Sequence, residues 1–238
     1  MIAILSDTVP HPAEKALCDL GYRTLRLPPH PMLPPPVNSH PDMLLFFSSD
    51  AIFCTEDYAK IAQKELMEIA RYTAIPIRTV SQAVGNTYPH DVLLNAAPIG
   101  RFLICRPDAT AKELTEHPDF TVLPVRQGYA KCSVIPLGKD ALITDDASIA
   151  SAARRAGLDV LLLPHGDIRL DGYPYGFVGG CASFAPFKKG NTVFWCGSLR
   201  TYAHGDAMQA FCKAHHTKLI SLGDFPTIDV GTVFLIER

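Results

Sequence analysis

The sequence has no concentration of basic charge. Its 22 Lys and Arg residues are scattered over 238 positions beside 24 acidic ones, for a formal net charge of −2. Without a basic stripe there is little counterion release to drive binding to a phosphate backbone, so nucleic acid is not an expected partner. Long apolar runs are also missing. No stretch approaches the roughly 18 to 20 apolar residues that span a bilayer, and the opening MIAILSDTVPHPAEK carries no basic n-region. A soluble cytoplasmic protein with no membrane contact is the expectation. C-x-x-C spacing is absent, and the cysteine count, seven, is odd. That argues against both a disulfide framework and a structural zinc site, so the thiols are read as reduced, with no metal and no cofactor.

What is present is enough apolar sequence, 47% of the chain with 19% charged, to bury a sizeable core. Short runs of Val, Ile, Leu and Phe alternate with amphipathic stretches, the pattern of an α/β fold. The pattern recurs as a β-β-α-β unit. Its clearest copy is Met43 to Phe47, Ala51 to Cys54, a helix from Thr55 to about Arg71 and Pro76 to Val80. Thr55 is a good N-cap, and Tyr58, Ala62, Leu66 and Ile69 share one helical face. A second copy runs from Val92-Leu93-Leu94 through Phe102 to Cys105, a short helix capped by Asp108, and Phe120 to Leu123. A third takes Cys132 to Ile135, Ala141 to Thr144, a helix around Ile149 to Ala156, and Val160 to Leu163. A fourth begins near Gly180 and continues through Thr192 to Cys196, a helix carrying Met208, and Lys218 to Leu222.

After the fourth copy only two strands remain, Ile228 to Val230 and Thr232 to Ile236, while Ile2 to Leu5, a helix from Pro12 to Leu20 and Arg23 to Leu27 stand at the other end. The two ends complete a fifth unit. Such a unit cannot bury its apolar face alone, and pairing the first copy with the last removes the sheet edges. The expectation is therefore a single domain over residues 1–238, a five-repeat ββαβ propeller with one repeat completed by the termini. Cys54, Cys105 and Cys196 near the ends of second strands, and Cys18 and Cys212 late in helices, are read as small buried hydrophobes. The Pro-rich stretch from Pro28 to Pro36 is read as an extended connector, and His165 to Gly180 as a long loop of functional length.

In a closed ring the first strands lie nearest the axis, so polar residues at their starts would face one another. These are His40 and Asp42, then His90, Asp91 and Asn95, then Lys131 and Cys132, then Cys181 and Ser183, and finally Asp229. A thiol, an imidazole and several carboxylates are the parts of covalent catalysis: nucleophile, general acid/base and a partner for a cation. Other readings stand beside this one. Cys132 could be another buried thiol, His40 a cap, and Asp42 and Asp229 turn residues. Lys131 could lower the thiol pKa or pair with a nearby acid. The glycine-rich Gly176 to Gly180 opens no helix, which argues against a dinucleotide site.

The order HPD, YPHDVLLN, QGYAKCSV with its ITDD turn, and DGYPYGFVGG resembles bacterial proteins of the guanidine-modifying-enzyme, or pentein, fold. The likeness spans nearly the whole chain. It implies the five-repeat propeller and, for a catalytic member, a Cys nucleophile, a His in an H-x-D motif and acids that bind a guanidinium. His40-Pro41-Asp42 matches H-x-D, Cys132 about two repeats on matches the nucleophile, and Asp229 the acid. Asp91, Asn95, Lys131, Cys181 and Ser183 become substrate-contacting candidates, with Cys181 the rival nucleophile. The order departs from the family's acid, His, Cys and requires a circular shift of the ring. The resemblance implies a Cys-dependent hydrolase or transferase, acting on the carbon–nitrogen bond of a small guanidine- or amidine-like molecule through a covalent thioether. The alternative it leaves is a non-catalytic binding protein, a role the same fold also serves.

Overall fold

The computed structural model describes residues 1–187 and 190–237. The N-terminal segment holds strand β1 (Ile2–Leu5), helix α1 (His11–Asp19) and β2 (Arg23–Arg26). Next come α2 (Pro41–Leu44), β3 (Phe46–Phe47), β4 (Ile52–Thr55), α3 (Glu56–Ile61), α4 (Gln63–Thr73) and β5 (Ile77–Val80). The following stretch forms β6 (Ala97–Ile99), β7 (Phe102–Cys105), α5 (Lys112–Thr115) and β8 (Thr121–Pro124). It is followed by β9 (Val134–Pro136), β10 (Ala141–Thr144), α6 (Ala147–Arg155) and β11 (Asp159–Leu162). The chain ends with β12 (Ala182–Phe187), β13 (Gly190–Trp195), α7 (Gly205–Ala214), β14 (Thr217–Ser221) and β15 (Phe234–Ile236).

These strands form five three-stranded mixed sheets. In four of them the middle strand pairs antiparallel with the strand before it and parallel with the one after it, as in β9-β10-β11; in the fifth, β1 pairs antiparallel with β15 and parallel with β2. A short turn joins the antiparallel pair in β3-β4, β6-β7 and β9-β10, whereas the parallel pair needs a crossover, which is where the helix lies. Buried on both faces, the middle strands read as unbroken apolar runs such as IAIL, IFCT and ALIT. The sheet β15-β1-β2 joins the two ends of the chain, with Ile2 opposite Ile236 and Ile4 opposite Phe234.

Caps and helix faces follow the sequence in most places. Thr55 accepts from the Tyr58 amide, Asp146 caps α6 through the Ile149 amide at 2.8 Å, and Tyr58, Ala62, Leu66 and Ile69 are all buried. Several details differ. The helix after Thr55 breaks at Ala62 (φ −101°, ψ 28°) into α3 and α4. Asp108 caps nothing; its carboxylate is taken by the Arg106 guanidinium, and α5 starts after Ala111. Met43 and Leu44 belong to the short α2, and Val92 to Leu94 lie in turns ahead of β6. Ile228 makes one isolated bridge with Arg169, and the residues between it and β15 form a loop.

The Pro-rich connector is folded rather than extended. The His30 amide bonds the Asn38 carbonyl at 2.8 Å, His30 stacks on Tyr58, and Leu33 and Val37 enter the core. Cys18 is exposed, contrary to the reading as a buried hydrophobe, whereas Cys54, Cys105, Cys196 and Cys212 are buried.

Candidate active site

Four of the five segments that precede a sheet's first strand deliver one or two polar side chains to one buried cluster. The turn of α2 carries His40 and Asp42, and the turn before β6 carries Asn95. The turn before β9 carries Lys131 and Cys132, and the loop before β15 carries Asp229 and Thr232. His40, Asp42, Asn95, Cys132, Asp229 and Thr232 are all buried. Polar groups this deep need partners.

Asn95 is the organiser. Its Oδ1 accepts from the amides of Lys131 (2.8 Å) and Cys132 (3.2 Å), while its Nδ2 donates to the Asp42 carbonyl (3.0 Å) and to Cys132 Sγ (3.0 Å). The Cys132 thiol in turn donates to Asp42 Oδ2 at 3.3 Å, and the Thr232 hydroxyl lies 3.0 Å from the same oxygen. Among the described residues, Asp42 Oδ1 has no hydrogen-bond partner. Asp229 accepts from the amides of Phe177 (2.8 Å) and Gly231 (3.0 Å), and its Oδ1 lies 3.9 Å from His40 Nδ1. His40 Nε2 is buried and, among the described residues, has no hydrogen-bond partner.

His40, Cys132 and Asp229 line a cavity of about 180 Å³ walled by Tyr129, Tyr173, Tyr175 and Phe177. Tyr129 is stacked between Tyr88 and Phe177, and its hydroxyl donates to Asp91. Acid at the floor and aromatic faces at the walls suit a small planar cation.

Burial, with the negative charges of Asp42 and Asp229, pushes the Cys132 thiol well above its ordinary pKa, and the bond from Asn95 opposes this. Burial also raises Asp229, with the neighbouring His40 pulling the other way. Among the described residues, no group of three or more His, Cys, Asp and Glu side chains is placed to hold a metal ion. Among the described residues, no helix is long and apolar enough to cross a membrane.

The model described as "Family of unknown function (DUF6873)" matches residues 4–234. The chain belongs to the DUF6873 family. No curated protein matches it. Among solved structures, an agmatine deiminase from C. jejuni aligns with TM-score 0.53 and 7% identity, over 93% of this chain and 87% of that one. A dimethylarginine dimethylaminohydrolase variant, an adduct with S-methyl-L-thiocitrulline, aligns with TM-score 0.53 and 10% identity, over 93% and 92%. Both are pentein-fold proteins, and the likeness gives the DUF6873 chain that fold.

The remaining sequence candidates of this DUF6873 chain lie around the cluster rather than in it. Asp91 holds Tyr129 in place, and His90 is exposed. The Ser183 hydroxyl accepts from the Val233 amide at 3.0 Å. The Cys181 thiol donates to the Val178 carbonyl at 3.1 Å and packs in a different part of the core, beside Trp195. Lys131 does not line the Cys132 cavity; its Nζ donates to Thr232 Oγ1 at 2.9 Å.

Sequence reasoning missed the aromatic wall and two glycines. A Cβ on Gly180 would lie 2.0 Å from Asp229 Oδ1, and one on Gly231 (φ +71°) 2.1 Å from His40 Cβ. The glycine run ending at Gly180 brings backbone against the acid instead of against a phosphate. The available signals were the density of Tyr and Phe from Tyr173 to Phe177 and a Gly two residues after Asp229.

Asp145 ties the long loop down by accepting from the Val178 amide at 2.9 Å, and burial pushes its pKa up to about 7. A carboxyl raised on folding contributes stability below its unfolded pKa and loses it as pH rises through the folded value. Unfolding stability is therefore expected to fall by a few kcal/mol between pH 4 and pH 7 through this group. Denaturant melts of Asp145→Asn should show that slope flattened.

Proposed function

We propose that the chain is a cysteine-dependent enzyme of the guanidine-modifying type, acting on a small guanidinium or amidinium compound through an amidino-thioether on Cys132. One observation carries the reading. Cys132, His40 and Asp229, from three distant segments, share one small aromatic-walled cavity, and the Cys132 thiol is bonded to Asp42.

A cationic substrate entering the cavity brings positive charge next to the thiol and offsets the two acids that hold it protonated. Asp229, on the cavity lining, faces the cation directly, while Asp42 adds its charge from behind the thiol. The thiol proton passes to His40, Sγ attacks the amidine carbon, and the carbon–nitrogen bond breaks as His40 returns the proton to the leaving amine. His40 then takes a proton from water, the resulting hydroxide attacks the thioether carbon, and thiolate departs. Asp229 stabilises the imidazolium through both halves.

The second reading, a non-catalytic binding protein, is favoured by the raised thiol pKa. Alkylation separates the two. The cationic 2-chloroacetamidine is expected to label Cys132 at least about tenfold faster than neutral 2-chloroacetamide. Equal and slow labelling by both reagents would leave the binding reading. Asp42→Asn provides an opposite-signed check: loss of its charge lowers the thiol pKa, so the neutral reagent reacts faster while the preference for the cation shrinks.

The same reading has the five sheets closing into one propeller over the whole chain. Its support is that β12 touches both β9 and β15, and that Phe234 on β15 packs on Phe47 at 4.8 Å between ring centroids. Deleting residues 234–238 strips β1 of a partner and opens the ring. Thermal unfolding should show a midpoint lowered by roughly 10 °C; an unchanged midpoint argues for an open arrangement.

A further inference from the structure

A second cavity, of about 360 Å³, lies on the other side of the Lys131–Cys132 turn. Phe46, Phe47, Phe184, Pro186 and Phe234 make its walls apolar, and among its described lining residues Lys131 is the only titratable side chain. The Lys131 ammonium has three donors but, among the described residues, one hydrogen-bond partner, Thr232 Oγ1, and no carboxylate within ion-pair reach. A partly buried cation with unmatched donors in an apolar cleft calls for an anion carrying an apolar body. We propose that this cavity binds an apolar monocarboxylate, its carboxylate on Lys131 and its tail against Phe47, Phe184 and Phe234.

The site is wired to the first one. Lys131 Nζ donates to Thr232 Oγ1 (2.9 Å), that hydroxyl lies 3.0 Å from Asp42 Oδ2, and the Cys132 thiol donates to the same oxygen (3.3 Å). The positive charge of Lys131 favours thiolate at Cys132. A carboxylate paired with Lys131 cancels that charge, so occupancy slows the thiol. Burial holds the Lys131 ammonium below the usual lysine range, against the pull of Asp42, Cys132 and Asp229. Affinity for a carboxylate is therefore expected to fall as pH rises and Lys131 loses its proton.

Octanoate serves as the probe, with 1-octanol and octylamine as uncharged and cationic controls, in calorimetric titrations of the full chain. The expected result is one octanoate site, with both controls at least about tenfold weaker. Lys131→Met should lose a similar factor. Pro186→Glu, at an exposed rim position outside the Cys132 site, should weaken octanoate several-fold and leave 2-chloroacetamidine labelling unchanged. That second variant keeps the test decisive if Lys131→Met does not fold. Equal binding of octanol, or octanoate affinity indifferent to both substitutions, overturns the proposal. So does self-association through this face that octanoate leaves intact, since the occupant is then a second copy. Saturating octanoate should also slow alkylation of Cys132 by 2-chloroacetamide; an unchanged rate removes the coupling between the cavities.

Discussion

Cys132→Ser is expected to remove covalent chemistry while keeping the fold. A serine hydroxyl can accept from Asn95 and donate to Asp42 as the thiol does, at 3.0 and 3.3 Å in the native protein, so the buried network stays satisfied. Stability should change by no more than about 1 to 2 kcal/mol. The hydroxyl is a far weaker nucleophile at neutral pH, and His40, held against Asp229, cannot restore the thiol's reactivity toward an amidine carbon. Turnover of whichever guanidine or amidine proves best should drop by about a thousandfold or more. Cys181→Ser is the matched control: Cys181 does not line the aromatic cavity and its thiol donates to the local Val178 carbonyl, so activity should persist. Initial rates beside circular-dichroism melts of both variants decide the matter, and an active Cys132→Ser with an inactive Cys181→Ser would reverse the assignment.

Gly231→Ala is expected to damage the site nearly as severely, without touching a reacting atom. Gly231 sits at φ +71°, where a β-carbon costs about 1 to 2 kcal/mol by itself. Its added Cβ would also fall 2.1 Å from His40 Cβ and 2.2 Å from His40 Cγ, a distance only a shift of the imidazole or the loop relieves. Movement of the imidazole separates His40 from Asp229, and movement of the loop breaks the Gly231 amide bond to that acid. Gly231→Ala should lower stability by about 2 to 4 kcal/mol and abolish cation-directed labelling at Cys132. Both are read from one preparation by denaturant melts and mass spectrometry. Labelling at the native rate would show that His40 does not need its present position.

The sheet cores were legible because the middle strands are buried on both faces, leaving runs such as IAIL, FLIC and ALIT with turn residues between them. The starts of the first strands were not, for a physical reason: there the side chains of the buried polar cluster bond the neighbouring backbone. Val92, Leu93 and Leu94 are as apolar as a strand, yet Asn95 spends its side chain on the neighbouring turn, and pairing begins only at Ala97. At the other end, Asp229 bonds the Gly231 amide and turns the chain where the apolar pattern suggested extension. Spacing makes Asp42, Asp91, Cys132, Cys181 and Asp229 roughly equivalent positions; the fold brings Asp42, Cys132 and Asp229 together with His40, while Asp91 holds Tyr129 and Cys181 bonds the Val178 carbonyl.

The side on which a residue lies was harder. Lys131 and Cys132 are adjacent in sequence, but they line different cavities. The aromatic wall was hidden too, because the stack of Tyr129 on Phe177 joins two repeats and depends on how the long loop folds back under its tether to Asp145.

The central claim, that Cys132 accepts an amidino group, is tested most directly with S-methylisothiourea. Attack of Sγ on its amidine carbon expels methanethiol and leaves one amidino group on the thiol. Intact-mass measurement after an acid quench, followed by peptide mapping, should find a single amidino group on Cys132, reduced by Asp42→Asn and absent from Cys132→Ser. A native protein that stays unmodified, or carries the group on exposed Cys18 instead, would contradict the account.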